Sequence, residues 1–155
     1  MRKIINPWIG KEGYRCFGCD PNNPIGLHME FYEDGDDIVS TWHPGEYFQG
    51  WVDTMHGGIL STLIDEICGW VVWRKKQTSG FTTNLSVKFR KKVSTNEPAL
   101  TIRAHITKQV RNFLFIHAEI TNGAGELCTE GEATYILLNA EQSQALGFVR
   151  CEVEP

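Results

Sequence analysis

One segment constrains the rest of this chain. Residues 55–76, "MHGGILSTLIDEICGWVVWRKK", form its one long helical pattern, apolar over a wide arc. At about 100° per residue, Leu60, Leu63, Ile64, Ile67 and Val71 fall on a single stripe that must be covered. The remaining chain offers sheet as cover. Extended runs lie at 27–33, 37–42, 81–93, 100–110, 113–121 and 126–138. "DGD" separates the first two and "NGAG", a hairpin signal, the last two. The expected class is α+β, with an antiparallel sheet wrapped around one long central helix. Residues 1–26, rich in Gly, Pro and Asn, read as an irregular lead-in, and 140–146 as a short polar helix. No repeat or linker divides residues 1–155, so one domain is expected.

The long helix carries two liabilities. Glycine costs roughly 1 kcal/mol relative to alanine inside a helix, and an unpaired carboxylate beside a buried face costs more. Yet Gly57 and Gly58 open the segment, and Asp65-Glu66 interrupts its apolar run. Gly58, Ser61, Asp65, Cys68 and Gly69 line one flank of the stripe, nearly all small; Ile59, Glu66, Trp70 and Trp73 line the other. At a helix start the backbone N–H groups lack intrahelical partners and the dipole favours negative charge. Glycines there let a substrate oxygen approach, which makes an oxyanion site. Asp65 lies eight residues beyond Gly57, about 12 Å along the axis. One helix cannot bring both to one reacting carbon, whereas two antiparallel copies can. The pattern therefore points to a homodimer with shared sites.

Charge and composition narrow the partners. A net charge of −4 argues against nucleic acid. Basic residues still cluster, at Lys75-Lys76, Arg90-Lys91-Lys92, and Lys108 with Arg111, which suits a small phosphorylated ligand. No run reaches the ~20 apolar residues of a membrane span, and the N-terminus shows no signal-peptide stretch, so a cytoplasmic protein is expected. The odd number of cysteines, five, fits a reducing compartment. Cys16-x-x-Cys19 is half of a zinc site, but no second such pair exists and His28 or a symmetry mate would be needed. No metal and no other cofactor is expected. Cys68 reads as a packed thiol, and Trp70 and Trp73 as packing groups.

"HGGILSTLIDE" at 56–66 resembles the signature of hotdog-fold acyl-CoA thioesterases, specifically the phenylacetate-pathway type. "CFGCDPNNPIGLHMEF" at 16–31, "FQG" at 48–50, "TTNLSVKF" at 82–89 and "GEATYILL" at 131–138 extend the likeness over most of the chain. The resemblance implies a sheet around one helix, pairing into dimers or tetramers, and active sites between subunits. Asp65 matches the family's catalytic acid, as nucleophile or as general base for water. Gly57, followed by Gly58, matches the N–H that polarises the thioester carbonyl, Gln49 a loop amide that helps hold it, and Thr82 a hydroxyl that orients water or acid. His56 matches a residue that fixes the loop. Arg90, Lys91, Lys92 and Arg111 become candidates for the phosphates of coenzyme A, and Glu66 is the rival acid. The expected reaction is hydrolysis of an acyl-CoA thioester, the acyl group unspecified. The alternatives are an acyl-chain dehydratase or hydratase and a non-catalytic acyl-CoA binding module.

Overall fold

In the computed structural model, which describes residues 1–155, the central helix runs as α1 (Gly57–Val71) and continues through one wide π turn, Val72–Lys76. It begins two residues later than its pattern because Met55 is already committed. Met55 pairs with Gln49 in a small ribbon, and its N–H donates to Val93 O at 2.8 Å. It ends where Gln77 turns left-handed, at φ 52°. The whole predicted stripe, Leu60, Leu63, Ile64, Ile67 and Val71, is buried, joined by Cys68 and Trp70.

The covering elements are β1 (Arg2–Lys3), β2 (Tyr32–Asp34), β3 (Asp37–Trp42), β6 (Gly80–Phe89), β7 (Leu100–Val110), β8 (Phe113–Thr121) and β9 (Leu127–Leu137). They form one antiparallel sheet in the order β1-β2-β3-β7-β8-β9-β6. The ribbon β4 (Gln49–Trp51) and β5 (Thr54–Met55) precedes α1, and α2 (Ala140–Ala145) closes the fold. Register follows the pleat. Ile38, Ala104, Ala118 and Gly131 pair in turn across β3, β7, β8 and β9, so these positions share the face toward α1. At Gly131 helix and sheet meet without room for a side chain: a Cβ there would lie 2.7 Å from Ile64 Cγ2.

Three sequence expectations need correction. Residues 1–26 are not wholly irregular, since β1 pairs with β2, Ile4 N–H donates to Phe31 O and Ile4 bridges Val153. The run at 27–33 is a strand only from Tyr32. Before it, Leu27 and Met29 donate to Phe17 O and Gly18 O, so their alternating burial comes from pairing with a turn. The strand expected to reach 93 stops at Phe89, where the N–H groups of Arg90 and Lys91 both turn to Cys128 O.

β6 is a sheet edge, with Phe81, Thr82, Thr83, Asn84, Ser86, Lys88 and Phe89 exposed. A ten-residue edge left open offers backbone groups to another strand.

Overpacking the helix–sheet contact tests this architecture. Gly131→Ala should lower stability by about 1–3 kcal/mol in chemical denaturation, the usual cost of an extra methyl in a full core. An unchanged midpoint would mean that Ile64 does not rest on β9.

Candidate functional site

Asp65 sits half-buried on α1, and two strands reach up to it. Thr82 on β6 and Tyr135 on β9 are cross-strand partners, so both side chains share the helix-facing side. Thr82 Oγ1 donates to Asp65 Oδ1 at 2.8 Å, and Tyr135 Oη lies 3.1 Å from the same oxygen and 2.9 Å from the Asp65 backbone carbonyl. The register of β6 on β9 slips between Thr82 and Asn84, a bulge that ends the regular ladder beside the site. One carboxylate oxygen is thus tethered, while Oδ2 has no partner in the chain. Burial, and then the Asp65 charge, push the Tyr135 hydroxyl well above its ordinary pKa, so it stays a donor. A Cβ on Gly69, one turn along, would lie 3.5 Å from Tyr135 Oη, so the small residue leaves this corner open.

Tyr135 was not singled out in the sequence. Its signal was weak but readable: a tyrosine on the inward register of a strand, with Gly131 and Ala133, needs a partner for its hydroxyl once buried.

The other cluster surrounds the start of α1. His56 caps the helix, its Nδ1 accepting from Gly58 N–H at 2.8 Å, while His56 N–H donates to Phe48 O at 2.9 Å. Both bonds tie His56 into the loop and the helix start. They also use the Gly58 donor, and a Cβ at Gly58 would lie 2.9 Å from the His56 ring. Gly57, at the first helical position, keeps an N–H with no acceptor in the chain. Gln49 is exposed on the adjoining ribbon, opposite Met55, and Phe89 approaches within 3.4 Å of where a Gly57 Cβ would sit. Gln49, His56, Gly57 and Gly58 therefore form one group and Asp65, Thr82 and Tyr135 another, two turns of α1 apart.

The basic candidates are not gathered by one chain. Arg90 pairs with Glu130 at 3.4 Å and Lys91 with Glu126, while Lys92 is exposed, all just past the end of β6. Arg111 occupies the β7–β8 turn, left-handed at φ 56°, toward the opposite end of the strands. Cys68 is fully buried, and burial followed by the Asp65 charge holds its thiol protonated, in keeping with a packing role. Glu66 faces the other flank, accepting from Trp70 Nε1 at 3.2 Å and from Cys16 Sγ at 3.3 Å. Trp70 stacks on Phe31 at 4.5 Å and meets Trp73 edge-on, which makes both tryptophans packing groups.

The family model of the thioesterase superfamily matches residues 53–129, just under half of the chain and the part that carries both groups except Gln49 and Tyr135. A search of curated protein sequences gives no significant match. Among solved structures, a hypothetical thioesterase from Streptococcus pneumoniae TIGR4 in complex with coenzyme A is 25% identical, with a TM-score of 0.66, over 72% of this chain and 89% of its own. Two variants of that protein, one with a threonine and one with an aspartate replaced by alanine, superpose with the same score. Zebra fish thioesterase superfamily member 2 is 24% identical, with a TM-score of 0.64, over 72% of this chain and 81% of its own. A further thioesterase superfamily protein is 20% identical but superposes with a TM-score of 0.72 over 86% of this chain and 69% of its own. The chain has the hotdog fold of these proteins, as its sequence pattern suggested.

The tether on Asp65 has a measurable signature independent of any reaction. In a double-mutant cycle on stability, Asp65→Asn and Tyr135→Phe should couple by about 0.5–3 kcal/mol, as residues in direct hydrogen-bond contact do. Strict additivity would show that the two side chains do not meet.

Proposed function

We propose that this chain belongs to the thioesterase superfamily and hydrolyses an acyl-CoA thioester to the free acid and coenzyme A. The observation that carries this reading is the Asp65 carboxylate, anchored through Oδ1 by Thr82 and Tyr135 with Oδ2 left free. A tethered, half-buried carboxylate is oriented for one task, to take a proton from water or to attack a carbonyl carbon. Attack builds negative charge on the carbonyl oxygen, which a preset N–H donor stabilises, each such donor contributing about 10²–10³ in rate. Gly57 is the donor we assign, with Gln49 beside it on the ribbon and His56 holding both in place. The coenzyme A bound to the 25% identical streptococcal protein supports the substrate class.

Donor and acid belong, on this reading, to different subunits. Gly57 and Asp65 are about 12 Å apart along one helix, too far for a single carbonyl. Pairing the open β6 edges antiparallel about a twofold axis sets the Thr82 end of one strand against the Phe89 end of the other. Arg90, Lys91 and Lys92 of one copy then approach Arg111 and Asp65 of its mate, giving the coenzyme phosphates a basic surface that no single chain assembles. A hollow of about 540 Å3 within one chain is lined by Ile4, Ile9, Met29 and Phe31 and not by Asp65; on this reading the substrate cleft is completed by the partner. The "HGGILSTLIDE" and "TTNLSVKF" motifs favour the phenylacetate-pathway type, as a dimer or a dimer of dimers. The five free thiols suit a cytoplasmic setting.

A panel of acyl-CoA thioesters, followed by release of free thiol, tests the assignment. At least one member should turn over, and Asp65→Asn should lower turnover by at least ~10³ while coenzyme A binding survives, because only help given in the transition state is removed. Binding without turnover across the panel would make the protein a carrier. Undiminished turnover in Asp65→Asn would move the chemistry to another residue.

A further inference from the structure

On the flank of α1 opposite Asp65, Cys16, Cys19 and Glu66 converge: their two sulfurs and a carboxylate oxygen all lie within 4.8 Å of one another. His28, the ligand that spacing alone suggested, is not among them; its Nε2 lies against Asn23 O. A tetrahedral zinc with sulfur at ~2.3 Å and oxygen at ~2.1 Å needs ligand separations of about 3.6–3.8 Å. The 3.3 Å between Cys16 Sγ and Glu66 Oε1 is already near that edge.

Two further features prepare the cluster for a cation. Glu66 takes part in no ion pair; its hydrogen bonds come from the neutral donors Cys16 Sγ and Trp70 Nε1. A half-buried carboxylate without a positive partner is costly unless a cation completes it. Gly18, between the two cysteines, presses so closely on Glu66 that a Cβ would lie 2.4 Å from the carboxyl carbon. The turn is therefore shaped to let the carboxylate in between the thiols. Outer contacts are also in place: Tyr14 Oη lies 2.9 Å from Cys19 Sγ, Asn6 Nδ2 donates to that hydroxyl at 2.9 Å, and the Trp70 indole orients Glu66. Such contacts hold ligands to a metal.

We infer that Cys16, Cys19 and Glu66 form a zinc site, with water in the fourth position, that clamps the N-terminal turn onto α1. Binding replaces two thiol protons with one Zn²⁺, releasing both protons to solvent. The site is structural, and because Glu66 adjoins Asp65 in sequence, the clamp fixes the turn of the helix that carries the carboxylate.

The test uses the whole protein, reduced and stripped by a chelator, then titrated with Co²⁺ and afterwards Zn²⁺. One equivalent of Co²⁺ should give a thiolate-to-metal band in the near ultraviolet and tetrahedral bands in the visible, both erased by Zn²⁺. Zinc should also raise the melting temperature, as any ligand confined to the folded state does. Glu66→Gln should keep the thiolate band but weaken the metal by at least about tenfold, and Cys16→Ser should diminish the band itself. Near-ultraviolet circular dichroism checks that the variants fold. The absence of a thiolate band in the wild-type protein overturns the site without recourse to any variant. So does a band untouched by both substitutions, or closure of Cys16 and Cys19 into a disulfide in place of metal uptake under these conditions.

Discussion

The fold depends on burying one helix in one sheet. The stripe from Leu60 to Val71 is fully covered, and each large aliphatic side chain so buried is worth roughly 1.5–3 kcal/mol. Contact is close enough that β9 carries no side chain at Gly131 where Ile64 rests. That closeness leaves only the two flanks and the ends of the helix for polar chemistry. Asp65, Glu66 and the Gly57 N–H each lie in one of those places.

The flanks divide the work. Asp65 and Glu66 are consecutive, so a step of about 100° sends them to opposite sides of the stripe. Asp65 meets β6 and β9 and is tethered by two hydroxyls. Glu66 meets the N-terminal turn and two thiols. On the proposed reading the same pair of carboxylates offers one group to a reacting carbonyl and the other to a cation, and neither occupies space that the core needs. The start of α1 supplies the third polar feature. There His56 satisfies one backbone donor and leaves the Gly57 N–H free.

Where the sequence could be read, the reason was periodicity. A 3.6-residue repeat located the buried stripe, and the small-residue flank drew attention to Asp65. Motif likeness supplied Gln49, Thr82 and the role of His56. What escaped were contacts between distant segments. β1 is two residues long and exists only because it pairs across the chain with β2, while Ile4 bridges Val153. The run at 27–31 alternates like a strand, but it bonds to a turn, and periodicity does not identify the partner. Cys16 and Glu66 are fifty positions apart, so Cys-x-x-Cys looked like half a site because its third member was hidden in a helix. Tyr135 was concealed for the same reason, its hydroxyl meeting a helix seventy residues earlier.

The central claim is that one chain's acid serves another chain's donor, and complementation tests it most directly. One parent carries Asp65→Asn. The other carries Gly57→Pro, which deletes the free N–H yet suits the first helical position; the extended His56 before it tolerates proline. Each parent, folded and assembled, should be inactive alone. Coexpressed, about half the dimers are mixed with one intact site of two, so activity should return to roughly a quarter of wild type under twofold symmetry. Mixed dimers as inactive as their parents would contradict the account, since acid and donor would then act within a single subunit or not at all.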